Sequence, residues 1–467
     1  MATLTFYGGA QEVTGSCYLL ESPALGRVLL DCGMHQGRDA VERIAQERFQ
    51  FSPQSIDAVV LSHAHLDHSG LLPKLVHDGF DGPIHCTRAT ADLLDIMLHD
   101  SVGLYQKDLE RDNIRRARRG KTPLIAEYEV ADVEKALALC QGAMYQKPIP
   151  LGSSAQVCFH DAGHILGSSI VEIKLTEKGA EKTLVFSGDL GKTDSVLMND
   201  PATLTKADVV LMEGTYGDRN HRNLDATLEQ LEELLTEAWD AGGNVMIPSF
   251  AVGRTQEILF HLGCLHYQGK LDHWQVFLDS PMAIAVTKVY DRWLKLLDDQ
   301  DIRTLSDNHR QSLEHFLPSL NLTVGTEESM AINRIARGAI IIAGSGMCTG
   351  GRIRHHFKQR IWQRNNTIVF IGYQAQGTLG RILVNGAKNI KLFGSQYAVK
   401  AKIETLGGFS AHAGQSELVE WISNFEHEPR VFLIHGDPKA LDRLSQTLWE
   451  ENNIRTTVPS PEQSIVF

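Results

Sequence analysis

The chain has 467 residues, 43% hydrophobic and 22% charged, the composition of a folded protein too long for one ordinary core, so two domains are expected. No apolar run approaches a membrane span, and the opening MATLTFYGG lacks the basic-then-apolar plan of a secretory signal, so a cytoplasmic protein with no membrane partner is expected. A net charge of -12 does not advertise a nucleic-acid binder, and seven scattered cysteines without a CxxC pair argue against a disulfide framework and a thiolate zinc site.

In chain order, short apolar strands come first: TLTFYGG, SCYLL, RVLLDCG and DAVVLSH. Helices are predicted around 88–110 and 130–141, and residues 111–121 gather five Arg and one Lys against one Asp. That run reads equally well as a solvated helix face. Strands AQVCFHDAGH, SIVEIKL and TLVFSGD follow. From about 209 the rhythm becomes alternating strand and helix: ADVVLMEG, an amphipathic helix over 223–240 with Leu224, Leu228, Leu231 and Leu235 on one face, GNVMIPSF, a helix from Arg254, WQVFLDS, GAIIIAGSG and NTIVFIGYQ. This pattern predicts a mostly parallel sheet. IKLFGS, AKIETLGG and RVFLIHG then return to strands. No low-complexity linker separates the parts, so the second domain reads as an insertion: 1–208 and 390–467 form the first domain and 209–389 the insert.

The string HAHLDH, residues 63–68, is the most informative in the chain. Four metal-binding side chains, His63, His65, Asp67 and His68, stand within six residues directly after an apolar strand. Such a group cannot be buried without a cation or partners to compensate it. Further donors are sought at strand ends, where His164, Asp189 and His435 each precede a glycine within three residues. Nitrogen and carboxylate donors without thiolate suit zinc, with Mn2+ or Fe2+ as alternatives.

HAHLDH, with LLDCG, DAGHILGS and FSGDLG, resembles the metallo-β-lactamase superfamily, and MEGTYGDR, GGFSAHAG and VFLIHGD resemble the further motifs of its β-CASP branch. IPSFAVGRTQE, GSGMCTGGRI and GYQAQGTLGR are similar to that branch's inserted domain. The resemblance implies a metallo-β-lactamase αββα sandwich with an inserted α/β β-CASP domain. It implies two zinc ions per chain: His63, His65 and His164 on the first, Asp67, His68 and His435 on the second, Asp189 bridging both, and Asp31 orienting ligands through hydrogen bonds. It makes His412 the general acid, Glu213 the group that holds its tautomer, and Asp67 a further member of the catalytic set. His435 favours RNA, since DNA-processing members of the branch tend to lack it.

The expected function is a two-zinc ribonuclease that cuts single-stranded RNA endonucleolytically, leaving 5′ phosphate and 3′ hydroxyl ends, with homodimerisation left open. Gly-rich turns add candidate phosphate contacts at Ser345, Gly346 and Arg352, at Thr378 and Arg381, and at Arg254. Residues 352–364 carry five basic side chains and no acid. His35, His160, His261, His355 and His356 show no partner pattern. The competing readings are a small-molecule hydrolase on the same core and an inactive RNA-binding scaffold.

Overall fold

Leu4 and Phe6 lie on one side of the strand Thr3–Gly8, and Val157 and Phe159 do the same along Ala155–Asp161. These side chains meet in a core shared by two seven-stranded sheets. The structure, a computed structural model, describes residues 1–35 and 44–467. It divides into one unit of residues 1–220 with 412–467 and a second of residues 221–411.

In the first unit, one sheet runs Ser464–Val466, Thr3–Gly8, Cys17–Ser22, Gly26–Leu30, Ala58–Val60, Ile84–Thr87, Cys140–Ala143. The other runs Thr456–Thr457, Arg430–Ile434, Val209–Glu213, Ala180–Phe186, Ser169–Glu177, Ala155–Asp161, Ile149–Leu151. Phe6, Tyr18 and Val28 of the first pack with Phe159, Phe186 and Phe432 of the second. Helices Gln415–Ser423 and Pro438–Asn452 bring Leu418, Trp421, Leu441 and Leu444 against the outer face of the second sheet. Helices Arg88–Ala117 and Val130–Ala138 accompany the first. The layers are therefore helix, sheet, sheet, helix, an αββα sandwich.

The second unit is built on a six-stranded parallel sheet in the order Leu320–Leu322, Gln275–Asp279, Ala339–Ala343, Val245–Pro248, Thr367–Phe370, Lys402–Thr405. Its inner strands Val245–Pro248, Ala339–Ala343 and Thr367–Phe370 are buried at every position, as the central strands of a parallel sheet covered on both faces are. Val245, Ile247, Ile340 and Ile342 pack with Leu231, Leu235 and Leu262, while Met246, Ile341, Ile353 and Phe357 form the opposite core.

Both expected domain boundaries move. The strand Val209–Glu213 pairs with Ala180–Phe186 and Arg430–Ile434, so it belongs to the first unit and not to the insert. Residues 390–411 belong to the second unit: Asn389–Leu392 forms a hairpin with Ser395–Ala398, and Lys402–Thr405 extends the parallel sheet. A short strand reads the same in either sheet, and only its pairing partner assigns it. Among the described residues no helix is long and apolar enough to cross a membrane.

Candidate metal centre

Strand register gathers the donors. Leu30 pairs with Val60 in parallel, so Asp31 and the 61–65 segment leave the first sheet side by side. In the second sheet Phe186 pairs with Leu211 and Glu213 with Ile434, which sets Asp189, Glu213 and His435 at neighbouring strand ends. Asp67 and His68 lie on the one-turn helix Leu66–Ser69. Gly33 lets the two loops close: a Cβ there would stand 1.7 Å from the Asp67 carbonyl oxygen. Asp31 and His435 adopt φ of 60° and 48°. That conformation costs an L-residue about 1–2 kcal/mol, and here it aims both side chains into the site.

Four donor atoms form a compact set. His63 Nε2 lies 3.1 Å from His65 Nδ1, His164 Nε2 lies 3.2 Å from the same atom, and Asp189 Oδ2 is 3.5 Å from both His63 Nε2 and His164 Nε2. Ligands held at about 2.0–2.1 Å around tetrahedral zinc stand roughly 3.3 Å apart, so the spacing matches. Asp67, His68 and His435 form a second set, which Asp189 Oδ1 reaches at 3.2 Å from His68 Nε2 and 3.6 Å from His435 Nδ1. His68 Nε2, Asp189 Oδ1 and His435 Nε2 are buried and have no hydrogen-bond partner among the described residues. Three orphaned polar atoms on one second set are what a missing cation would leave. The donor set therefore fits metal ions.

Asp31 fixes the orientation of the second set. Its Oδ2 stands 2.6 Å from His68 Nδ1 and accepts from Ser62 Oγ at 2.9 Å and Ser16 Oγ at 3.1 Å, while Oδ1 accepts the Ser62 N–H at 2.7 Å. With Nδ1 engaged in this way, His68 presents the lone pair of Nε2 to the centre. Burial lowers the pKa of His63 well below the usual value and that of His65 to about 4, keeping both imidazoles neutral as ligands must be. Burial acts the same way on His68, but Asp189 and Asp31 outweigh it and raise its pKa. Against the cost of burial, His68, His435 and His63 hold Asp189 ionised.

Beside it, His412 Nδ1 is 3.2 Å from Glu213 Oε1 and 3.3 Å from Oε2. Glu213 is fully buried, and its Oε1 also accepts the Leu190 N–H at 2.6 Å. Burial disfavours charge on His412, yet Glu213, with Asp189 and Asp67, raises its pKa. Its ring centroid is 4.5 Å from that of His164. A partly exposed histidine held by a buried carboxylate next to the donor set has the build of a proton donor.

The residues assigned to phosphate fare unevenly. Arg254 is buried and ion-paired with Glu257. Arg352 Nη1 donates to Asp279 Oδ1 at 2.7 Å and to the Thr323 carbonyl, and its Nη2 donates to the Val324 carbonyl. Both guanidinium groups are engaged within the fold. Thr378 caps the helix Leu379–Val384, accepting the Arg381 N–H at 3.2 Å. Ser345 Oγ accepts the Gly350 N–H, and Gly346 packs where a Cβ would strike the Phe250 ring. Arg381 Nε is buried without a partner among the described residues. Histidines passed over in the sequence have partners: His356 Nε2 lies 2.7 Å from Asp279 Oδ2, His160 Nε2 lies 3.2 Å from Glu172 Oε2, and His35 sits between Glu12 and Glu47 with its pKa raised to about 10 by hydrogen bonds to both. Sequence reasoning also missed Ser62, whose only signal is its place immediately before His63, and Thr215, whose Oγ1 donates to the His435 carbonyl at 3.0 Å.

Three family models match the chain: the metallo-beta-lactamase superfamily over residues 10–165, the Beta-Casp domain over 255–383, and the Zn-dependent metallo-hydrolase RNA specificity domain over 396–459. Ribonuclease TTHA0252 of Thermus thermophilus is 39% identical over 444 residues, covering 95% of each chain. An RNase J-like protein of Methanocaldococcus jannaschii is 30% identical over 98% of both chains. Transcription termination factor FttA of Methanosarcina mazei is 32% identical over 97% of this chain and 70% of its own length. A solved structure of a protein of unknown function from Enterococcus faecalis V583 shares the fold, with a TM-score of 0.54 at 14% identity over the whole of both chains.

Proposed function

This chain belongs to the β-CASP ribonucleases of the metallo-β-lactamase superfamily, and from that premise we propose that it holds two zinc ions and cuts single-stranded RNA endonucleolytically, leaving a 5′ phosphate and a 3′ hydroxyl. Metal-dependent RNA hydrolysis is the activity of the family. The observation that carries the second ion is the orphaned trio His68 Nε2, Asp189 Oδ1 and His435 Nε2 beside the complete set of His63, His65, His164 and Asp189 Oδ2.

Zinc bound at these donors would supply Lewis-acid charge to the phosphoryl group and lower the pKa of the attacking water. The chain's own residues do the rest. Asp189, with one oxygen turned to each set, ties the two together. Asp31 and Ser62 keep His68 in the tautomer that binds. Glu213 holds Nδ1 of His412, so the ring delivers its proton from Nε2 to the 3′ oxygen as the P–O3′ bond breaks. Asp67 serves as a ligand in the same catalytic set. Ser345, Gly346, Thr378 and Arg381 remain the proposed contacts for RNA phosphates on the second unit.

The deciding experiment incubates zinc-loaded protein with 5′-labelled and with internally labelled RNA and maps the products. Internal cuts bearing 5′ phosphates are expected. Mononucleotides released only from the 5′ end would replace the endonuclease with an exonuclease. Intact RNA alongside hydrolysis of a thioester or lactam probe would favour the small-molecule reading.

A further inference from the structure

The helix Arg88–Ala117 is 30 residues long, about 45 Å, and only its first part is packed. Its buried residues run from Ala89 to Tyr105, and none follows before its end. The remaining turns are nevertheless held in place. The Asn113 side chain brackets Leu124, donating to its carbonyl at 3.0 Å and accepting its N–H at 2.7 Å. Arg116 Nε donates to the Thr122 carbonyl at 2.8 Å. Tyr105 and Tyr128 stack with ring centroids 5.0 Å apart, and the Tyr105 hydroxyl accepts the Glu127 N–H. The result is an ordered arm and not a fraying end.

The arm ends in a strongly basic run of an acidic chain. Residues 111–121 hold five Arg and one Lys against one Asp, while the whole chain carries -12. Arg111 and Arg115 are ion-paired with Asp108 and Asp112, yet their side chains stay 57% and 60% exposed. Arg118, Arg119 and Lys121 are exposed as well. Cations near a helix C-terminus offset its dipole, at about 0.3–1 kcal/mol each within the last turn. That accounts for Arg115 and Arg116 but not for the three cations beyond the helix end. None of these residues contributes to the metal centre, so they serve neither the core nor the reacting phosphate.

We propose that this arm is an RNA-docking surface that binds phosphates of the substrate other than the one that reacts, a role that rests on RNA being the substrate. Clustered arginine and lysine side chains bind phosphodiesters by neutralising their charge, and they do so without reading sequence. An acidic partner protein would be drawn by the same charge, but the proposed RNA substrate is already a polyanion. The consequence is a length preference: RNA long enough to reach the arm binds tighter than RNA that fills the centre alone.

The test compares wild type with the fourfold variant Arg115→Ala, Arg118→Ala, Arg119→Ala, Lys121→Ala on RNAs of about six and about forty nucleotides, over a salt series. Arg116 is kept because it holds the returning segment. For the long RNA, KM is expected to rise about tenfold or more with kcat unchanged, and the slope of log affinity against log salt to fall in magnitude by about 2–3. The short RNA should be cut as by wild type, and metal content should not change. The matching variant with Arg115, Arg118 and Arg119 changed to Lys should keep wild-type long-RNA kinetics. Equal effects on both lengths, no effect on either, or loss in the lysine variant overturns the docking role. Wild-type protein that cuts neither RNA would instead overturn the ribonuclease reading on which it rests.

Discussion

Two buried carboxylate–histidine clusters, one in each unit, show why donor residues alone do not make a metal site. In the second unit Asp279 is fully buried and each oxygen is satisfied twice: Arg352 and Thr323 reach Oδ1 at 2.7 and 2.8 Å, while Ser329 and His356 reach Oδ2 at 2.6 and 2.7 Å. In the first unit Asp189 is just as buried, but its Oδ1 has no hydrogen-bond partner among the described residues, and neither do His68 Nε2 and His435 Nε2. The Asp279 cluster is closed by arginine, an internal cation, and joins the ends of neighbouring elements. The Asp189 cluster is open and needs a cation from outside. Both carboxylates are held ionised against the cost of burial, so charge alone does not tell them apart.

The largest effect expected from this contrast is on rate. His412→Ala should slow RNA cleavage by about two to four orders of magnitude, the usual contribution of a general acid, while zinc analysis finds the metals still bound. Metal loss in that variant would make His412 part of the open cluster. Next comes stability in the closed cluster. Asp279→Ala leaves Arg352 and His356 without their partner, and urea unfolding should show a loss of about 3–5 kcal/mol with wild-type metal content. The same group carries a pH signature. Its folded pKa lies below the ordinary carboxylate value, so its contribution to stability is complete above that value and is lost as pH falls through the folded one. In acid titrations followed by circular dichroism, Asp279→Asn should therefore flatten the wild-type loss of stability below about pH 4. An unchanged acid limb would contradict the assignment. The smallest effect is at Asp31, which orients His68 without reaching the centre. Asp31→Asn should weaken metal affinity by about ten- to a hundredfold in a competition assay with a chelator.

Much of the open cluster was legible in the sequence because candidate metal donors announce themselves by type and position. Four of them adjoin in HAHLDH, and His164, Asp189 and His435 each follow a strand within three residues. The structure brings all seven together. The closed cluster was not legible: Asp279 and His356 are 77 residues apart and neither belongs to a motif of ligands. Arg352, read from its Gly-rich neighbours as a phosphate contact, also donates to Asp279, which nothing in the sequence signals. The layers of the fold could be anticipated, but the boundaries between units could not. Val209–Glu213 and Ala339–Ala343 are both buried at every position, so their patterns agree although they belong to different sheets.

The most direct test of the open cluster is zinc content by elemental analysis in wild type, His68→Ala and Asp189→Ala, each purified without chelator. Close to two ions per chain are expected in wild type, a loss confined mainly to the second set in His68→Ala, and losses from both sets in Asp189→Ala. One ion in wild type, or wild-type zinc in Asp189→Ala, would contradict an Asp189 shared between two metals.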